Sequence, residues 1–318
     1  KGFIMAGSVN KVILIGNLIL TACKKEFLEI APTGQLTEGL VTSKKGIEGQ
    51  LIGAYGMLGG RGNYFGGASN WANGSIQGGE ANKGTDAGDF NDINFVQRFE
   101  LQTSSRVPAD RWGPLYEGIS RANATLKSVG ISTDPALSDA DKTRITAEAR
   151  FLRGHYYFEL KKSYNDVPYI DETLTSEEAV KVQNNVNIWP KIEEDFQFAL
   201  NNLPEVPSAK GRANKWAAAA YLGKTYLFQK KYAEAKAQFD AVIANGKTSS
   251  GAAYNLLPRY QDLFNAIFDN NEEIIFSVQA AANTGSTNNA NPDFVLNFPY
   301  NTGTSGPGSC CGFFQPSF

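Results

Sequence analysis

Between residues 43 and 250, apolar side chains recur at intervals of three and four along several stretches, and each such stretch predicts a helix. Ile47, Leu51, Ala54 and Leu58 mark one face of a first helix that Ser43 can cap. From Gly59 to about Asp92 that period is lost, and the chain becomes dense in Gly, Asn and Ser, with Tyr64, Phe65 and Trp71 set among them. A long irregular segment inside a compact domain is usually functional or disordered, and the aromatics argue against disorder. Helical spacing returns with Trp112, Leu115, Tyr116, Ile119, Ala122, Asn123 and Leu126. It returns again with Ile145, Ala149, Leu152, Tyr156 and Leu160, a helix that Asp139 or Asp141 can open. Ser163 to Val186 reads as connection, since Val167-Pro168 forces Val167 into extended backbone. A further helix starts near Trp189-Pro190, where a proline suits the first turn, and runs to Leu203 before Pro204 stops it.

The clearest internal repeat lies between Trp216 and about Ser249. Leu222-Gly223 and Tyr226, followed by Ala235, Phe239 and Val242, reproduce the tetratricopeptide spacing of L-G-x2-Y and then A-x3-F. Gly223 lets two helices approach, Tyr226 and Phe239 fill the space between them, and Lys230-Lys231 makes the polar turn. A weaker copy precedes it: Phe151-Leu152, Tyr156 and Phe158 align with Tyr221-Leu222, Tyr226 and Phe228, and Ile192, Phe196, Ala199 and Pro204 match the second helix. One hairpin cannot bury its apolar face alone, so these pairs are expected to stack. The fold class is therefore mainly α, a tetratricopeptide-like helical repeat with a long irregular, loop-rich region packed on it. Farther on, Glu273-Ile274-Ile275-Phe276-Ser277-Val278-Gln279 reads as a short strand, and the chain to Phe318 is rich in Asn, Gly and Pro.

The amino-terminal end has its own pattern. The apolar run Val12 to Leu20 is far short of the ~20 residues a membrane-spanning helix needs, and Asn17 interrupts it. It reads as the apolar core of a signal peptide, with Met5 as initiator and Lys11 as a minimal basic region. Leu20-Thr21-Ala22-Cys23 then forms a lipobox-like tetrapeptide. The expected organisation is a lipoprotein signal peptide over 1–22, a tether over 23–42 and a folded domain over 43–318. Lipidated Cys23 would hold that domain at a membrane surface without spanning it. A buried apolar strand with a chance cysteine is the alternative.

Composition narrows the classes. A net charge of −2 gives no field to recruit nucleic acid, and an aromatic content of 12% with abundant Asn and Gly suits stacking and hydrogen bonding over charge recognition. Besides Cys23 there are only the neighbours Cys310 and Cys311, which make neither a disulfide framework nor a metal-ligand spacing. A bridged pair and two free thiols both stay open, a bridge requiring distorted backbone. No cofactor or metal is expected.

Catalytic readings fare badly. The single histidine, His155, lies in mid-helix beside Tyr156 and Tyr157 and reads as a packing residue. Glu193-Glu194-Asp195 falls in the first turns of a helix, where negative charge complements the macrodipole, and reads as a solvated helix start. Glu80, Asp86, Asp89 and Asp92 could bind ligand hydroxyls or calcium, but their spacing matches no EF-hand. The glycines from Gly56 to Gly67 lack the strand, helix and lysine of a phosphate loop. Sugars, by contrast, stack their C–H faces on aromatic rings while amides and carboxylates take the hydroxyls. Trp71, flanked by Asn70 and Asn73, is thus a candidate glycan contact, together with Tyr64, Phe65 and Asp86. For Trp71 a core anchor is the equal alternative; for Trp112, Trp189 and Trp216, at helical positions, core packing is expected.

At this point the chain resembles the SusD/RagB family of surface glycan-binding lipoproteins. The resemblance rests on the lipobox with Phe27-Leu28-Glu29-Ile30-Ala31-Pro32-Thr33-Gly34, on Trp112-Gly113-Pro114-Leu115-Tyr116 with Ala122-Asn123, and on Ala147-Glu148-Ala149-Arg150-Phe151-Leu152-Arg153. It continues through Tyr164-Asn165-Asp166-Val167-Pro168, Gly211-Arg212-Ala213-Asn214-Lys215 and Asn271-Glu272-Glu273-Ile274-Ile275-Phe276. The family implies a right-handed superhelix of helix pairs, a loop-rich part carrying the ligand site, no catalysis, and a lipid-anchored place on the cell surface at the outer membrane. It also implies a partner, a SusC-like TonB-dependent transporter that receives the oligosaccharide. Within 43–318 it suggests a loop-rich part over 43–110, helical repeats over 111–250 and the start of a second loop-rich part over 251–318. Family members usually continue past a stretch like Cys311-Gly312-Phe313-Phe314, so the chain reads as a carboxy-terminally incomplete version. The expected function is capture of a neutral oligosaccharide or polysaccharide. The competing classes are a protein-interaction scaffold and a glycoside hydrolase.

Overall fold

The structure, a computed structural model, describes residues 37–62, 65–86, 88–280, 296 and 312–317. Cys23, Tyr64, Cys310, Cys311 and the expected signal peptide lie outside the described residues. Lys1–Leu40 and Val41–Phe318 separate as two units. A helical turn, Glu38–Val41, covers the last described residues of the first, and the second holds every other described element.

Ser43 caps α1, Lys44–Gly56, its Oγ accepting from the Gly46 N–H at 3.1 Å, and the helix buries Ile47, Leu51 and Ala54 as the spacing requires. The stretch after Gly59 is less irregular than its composition implies. It holds a π-helical turn over Ala72–Ile76, a three-residue strand β1 over Ala81–Lys83, and α2 from Asp92 to Gln97. β1 pairs antiparallel with β2, Phe314–Pro316, in the register Ala81 to Pro316. Strands this short show too few alternations to be read from a period of two.

α3 runs from Arg106 to Ile131, starting earlier than Trp112. α4, Asp139–Tyr164, is opened by neither aspartate: Ser138 is the cap, its Oγ accepting from the Asp141 N–H at 3.1 Å while Asp141 accepts from the Ser138 N–H. This reciprocal capping box satisfies two end donors at once, which explains why the helix starts there. The connection after Ser163 contains a single turn, Ser176–Ala179. α5, Trp189–Asn202, α6, Lys215–Phe228, and α7, Tyr232–Asn245, fall where the periods place them. The run Glu273–Gln279, however, forms no strand. Phe276 packs edge-on against Phe151 at 5.2 Å and Ile275 joins the helical core, so the apolar pattern reflects side-chain burial without a ladder partner.

The helices pack as successive pairs, α3 with α4, α4 with α5, α5 with α6 and α6 with α7. In the last pair Gly223 lies so close to Phe239 that a β-carbon would stand 2.8 Å from the ring. In the weaker copy Gly154 plays that part, a β-carbon there falling 3.0 Å from Phe196. The close approach is moved by one residue from the aligned position, which carries Arg153. Lys230 closes the α6–α7 turn with a φ of 61°. Trp216 is buried, while Trp112 and Trp189 are half-buried against Tyr164 and Phe158.

Of Glu193-Glu194-Asp195, Glu194 is exposed as the helix start suggested, but Asp195 is not. Asp195 is 1% exposed and clamped by two arginines of α4, Arg150 at 2.7 Å and Arg153 at 2.8 Å. Pairing across the interface, which helix position alone does not reveal, draws this charge inside. His155 is buried, its Nδ1 2.9 Å from the Tyr221 hydroxyl, in keeping with packing.

Three apolar clusters result among the described residues. One is the helical core, to which α1, α3, α4, α5 and α6 contribute. A second gathers Phe65, Trp71, Ile76, Ile93, Val96, Val107 and Phe313 within the loop-rich part, and a small third joins Trp216 and Ala219 of α6 to Val242 of α7.

Candidate functional site

Asn70 adopts a left-handed conformation, φ 48°, which asparagine tolerates better than most residues. Its carbonyl accepts from the Gly74 N–H at 2.7 Å, and the Trp71 carbonyl accepts from the Ile76 N–H at 3.1 Å, the long-range bond of a π-turn. The turn sends Trp71, Ala72 and Ile76 into the loop cluster and leaves Asn70, Asn73 and Gln77 partly exposed on the other side. Trp71 stacks on Phe313 at 6.2 Å and meets Phe65 at 5.4 Å.

The wall so formed is tied to the helices by one ionic node. Arg111 of α3, fully buried, donates to the Phe65 carbonyl at 3.0 Å and the Gly67 carbonyl at 3.4 Å, and pairs with Glu159 of α4. Glu159 also accepts from Lys162 Nζ at 2.8 Å. Burial works against ionising Glu159, but Lys162 and Arg111 outweigh it and hold its carboxyl below the ordinary range. Between Phe65 and Gly67, Gly66 lies on Pro114 of α3, where a β-carbon would come within 2.6 Å of the proline ring. A side chain at this position would lift the loop off the scaffold.

Between the π-turn and the end of α4 an open groove of about 820 Å³ results. Asn70, Asn73 and Gln77 line one side, Lys162, Ser163 and Tyr164 the other, with Leu101 and Pro108 between them. Burial raises the Tyr164 hydroxyl to about 12, so it stays protonated and donates to the Pro108 carbonyl at 2.6 Å. The groove offers amide donors and acceptors, an aromatic edge and one cation, the equipment for holding a hydroxyl-rich chain.

A second depression of about 840 Å³ lies between α3 and residues 170–179. Several of its polar groups are committed to the protein itself. Asn123 donates to the Ile170 carbonyl at 2.9 Å, Glu172 pairs with Arg153, and Thr175 and Glu178 form a capping box. The first groove is the better candidate because three amides converge on it, Asn73 giving only a long 3.4 Å bond to Asn70.

Of the six expected glycan contacts, Asn70 and Asn73 line this groove. Trp71 and Phe65, at 3% and 4% exposure, present no face for a sugar and act as core anchors, which corrects their assignment as contacts. Asp86 is exposed but lies outside the groove, accepting from the Gly88 and Asp89 N–H groups at 3.0 Å as a turn cap. Tyr64 lies outside the described residues. Sequence reasoning missed Gln77, Lys162, Ser163 and Tyr164, because nothing local brings the end of α4 to the loop. The signal that could have pointed there is Tyr164-Asn165-Asp166-Val167-Pro168, where a long helix ends.

Comparison with known proteins agrees with this architecture. Residues 26–227 match a SusD-like family described as starch-binding, associating with the outer membrane. A SusD-like protein of Bacteroides ovatus is 26% identical over 278 residues, covering 84% of this chain and 49% of its own length. SusD-like protein P25 of Formosa agariphila is 30% identical over 178 residues, 54% of this chain and 32% of its own. Among solved structures, a laminarin-binding SusD-like protein superposes with a TM-score of 0.64 at 28% identity, over 77% of this chain and 53% of that one. Surface glycan-binding protein A from Bacteroides thetaiotaomicron, in complex with laminarihexaose, superposes at 0.61 with 20% identity, over 75% of this chain and 50% of that one, a likeness of fold. The matched stretch spans about half the length of the Bacteroides ovatus relative and about a third of the Formosa agariphila one.

Proposed function

Because this chain belongs to the SusD-like family of starch-binding proteins associating with the outer membrane, we propose that it captures oligosaccharide in the groove between Asn70–Gln77 and the end of α4, without catalysis. The observation that carries the reading is the convergence of the Asn70, Asn73 and Gln77 amides with Tyr164 on one depression. Similarity to a laminarin-binding protein at 28% identity supports a β-glucan as the first ligand to test. A lipid on Cys23 would fix the domain at the cell surface, and a SusC-like TonB-dependent transporter would receive the captured chain.

Calorimetry or affinity electrophoresis against laminarin and a polysaccharide panel tests the reading. Two lost hydrogen bonds at about 1 kcal/mol each lower affinity roughly thirtyfold, the effect expected for the Asn73→Ala, Gln77→Ala double variant. Absence of binding to every glycan overturns capture, and release of reducing ends overturns the non-catalytic part.

A further inference from the structure

The charge of the groove does not match a ligand of hydroxyls alone. Among the described lining residues Lys162 carries the one charge, beside amides, a hydroxyl, a phenol and apolar groups. Its carboxylate partner, Glu159, is shared: one oxygen meets Lys162 at 2.8 Å and the other meets Arg111. Glu159 is 5% exposed and Lys162 24%, so the member of the node nearer to solvent is the cation. A third cation, Lys224 of α6, approaches the same place: its Nζ and that of Lys162 sit 5.4 Å and 5.5 Å from the Phe158 ring centre. His155 faces this group too, buried and neutral, its pKa lowered to about 4. Three cations therefore face one carboxylate. The carboxy-terminal end of α4 supplies about half a negative charge, which offsets only part of the surplus.

We propose that this groove receives a glycan bearing an oxyanion, a sulfate ester or a uronate carboxylate, which Lys162 binds. The inference rests on the glycan-binding reading and specifies its ligand class. It departs from the expectation of a neutral glycan, which rests on the chain-wide abundance of aromatics, Asn and Gly, whereas a ligand meets the local field. The Asn73 and Gln77 amides line the same groove and add neutral donors to the one cation, the combination that holds an oxyanion through charge-assisted hydrogen bonds.

Binding of laminarihexaose, of the same hexaose sulfated, and of the same hexaose oxidised to carry carboxylates is compared by calorimetry on the full chain. At low salt at least one anionic hexaose is expected to bind about tenfold tighter than the neutral one, and the gap narrows as ionic strength rises. The better of the two identifies the oxyanion. Lys162→Gln removes the preference, Lys162→Arg retains it, and Lys236→Gln, on the exposed face of α7, leaves it unchanged. Melting curves establish that each variant is folded, and Lys162→Met, which keeps the apolar stem without the charge, carries the test if the glutamine variant is not. Equal binding of all three hexaoses overturns the anionic preference and leaves glycan capture standing. A preference unchanged in Lys162→Gln, or lost equally in Lys236→Gln, also overturns it. Binding of none of the three here, and of no glycan on the wider panel, overturns capture itself.

Discussion

Arg153 and Asp195 face each other across α4 and α5 through two parallel hydrogen bonds of 2.8 Å, with neither side chain more than 4% exposed. A planar guanidinium meeting both oxygens of one carboxylate fixes the register of the two helices as well as their distance. Arg150 adds a third contact, at 2.7 Å. Removing the carboxylate leaves two arginines without their shared buried partner, and breaking such a pair costs about 3–5 kcal/mol. Asp195→Asn is expected to lose that much in denaturant unfolding. A loss below about 1 kcal/mol would mean that water replaces the carboxylate.

Three glycines set helix spacing, and the room at each ranks the cost of a methyl group. At Gly118 of α3 a β-carbon would stand 2.6 Å from the Tyr156 ring, and that ring is held by its hydroxyl, which donates to the Ala54 carbonyl at 2.6 Å. At Gly223 the distance is 2.8 Å, and at Gly154 it is 3.0 Å. Overpacking costs about 1–3 kcal/mol, while alanine returns up to about 1 kcal/mol of helix propensity. Gly118→Ala should therefore be the most destabilising of the three and Gly154→Ala close to neutral. Melting temperatures that rank them in another order would refute the packing argument.

What could be read from the chain divides along physical lines. Helices were legible because a period of 3.6 is a local property, and Ile47, Leu51 and Ala54 announce their buried face without knowledge of any partner. The pairing of α6 with α7 was legible for the same reason, since the Gly223 and Phe239 spacing encodes a short hairpin. Asp195 was not, because a carboxylate in the first two turns of a helix looks alike whether it faces water or two arginines of another helix. The groove was half legible. Asn70 and Asn73 could be picked out by composition, but Lys162 and Tyr164 are held there by partners that no local pattern shows, Lys162 by the Glu159–Arg111 node and Tyr164 by its bond to the Pro108 carbonyl.

His155 makes stability depend on pH. Burial, the first cause, with Arg111, Lys162 and Lys224 beside it, lowers its pKa from 6.5 to about 4, and Glu159 opposes this only in part. The unfolded chain takes up a proton near 6.5 and the folded chain near 4, so between these values the unfolded state binds the extra proton. This contribution is complete above about 6.5 and is lost progressively as pH falls toward 4, by an amount on the order of 3 kcal/mol. His155→Phe keeps a ring in the site and removes the titration. Unfolding free energies at pH 7 and pH 4.5 should differ less in the variant than in the parent, and equal differences would place the pH dependence elsewhere.

Trp71 tests how the loop-rich part is held together. Its ring lies between Phe65 and Phe313, so the one residue pins the π-turn to the segment that carries β2. Truncating a buried aromatic costs about 3–5 kcal/mol, through lost transfer energy and the cavity left behind. Trp71→Ala is thus expected to lower the melting temperature markedly, and Trp71→Phe to lower it less, because a ring still fills most of the space. A glycan platform would behave in the opposite way, losing ligand affinity at an unchanged melting temperature. Measuring both quantities on both variants separates the roles, and loss of affinity alone would return Trp71 to the binding surface.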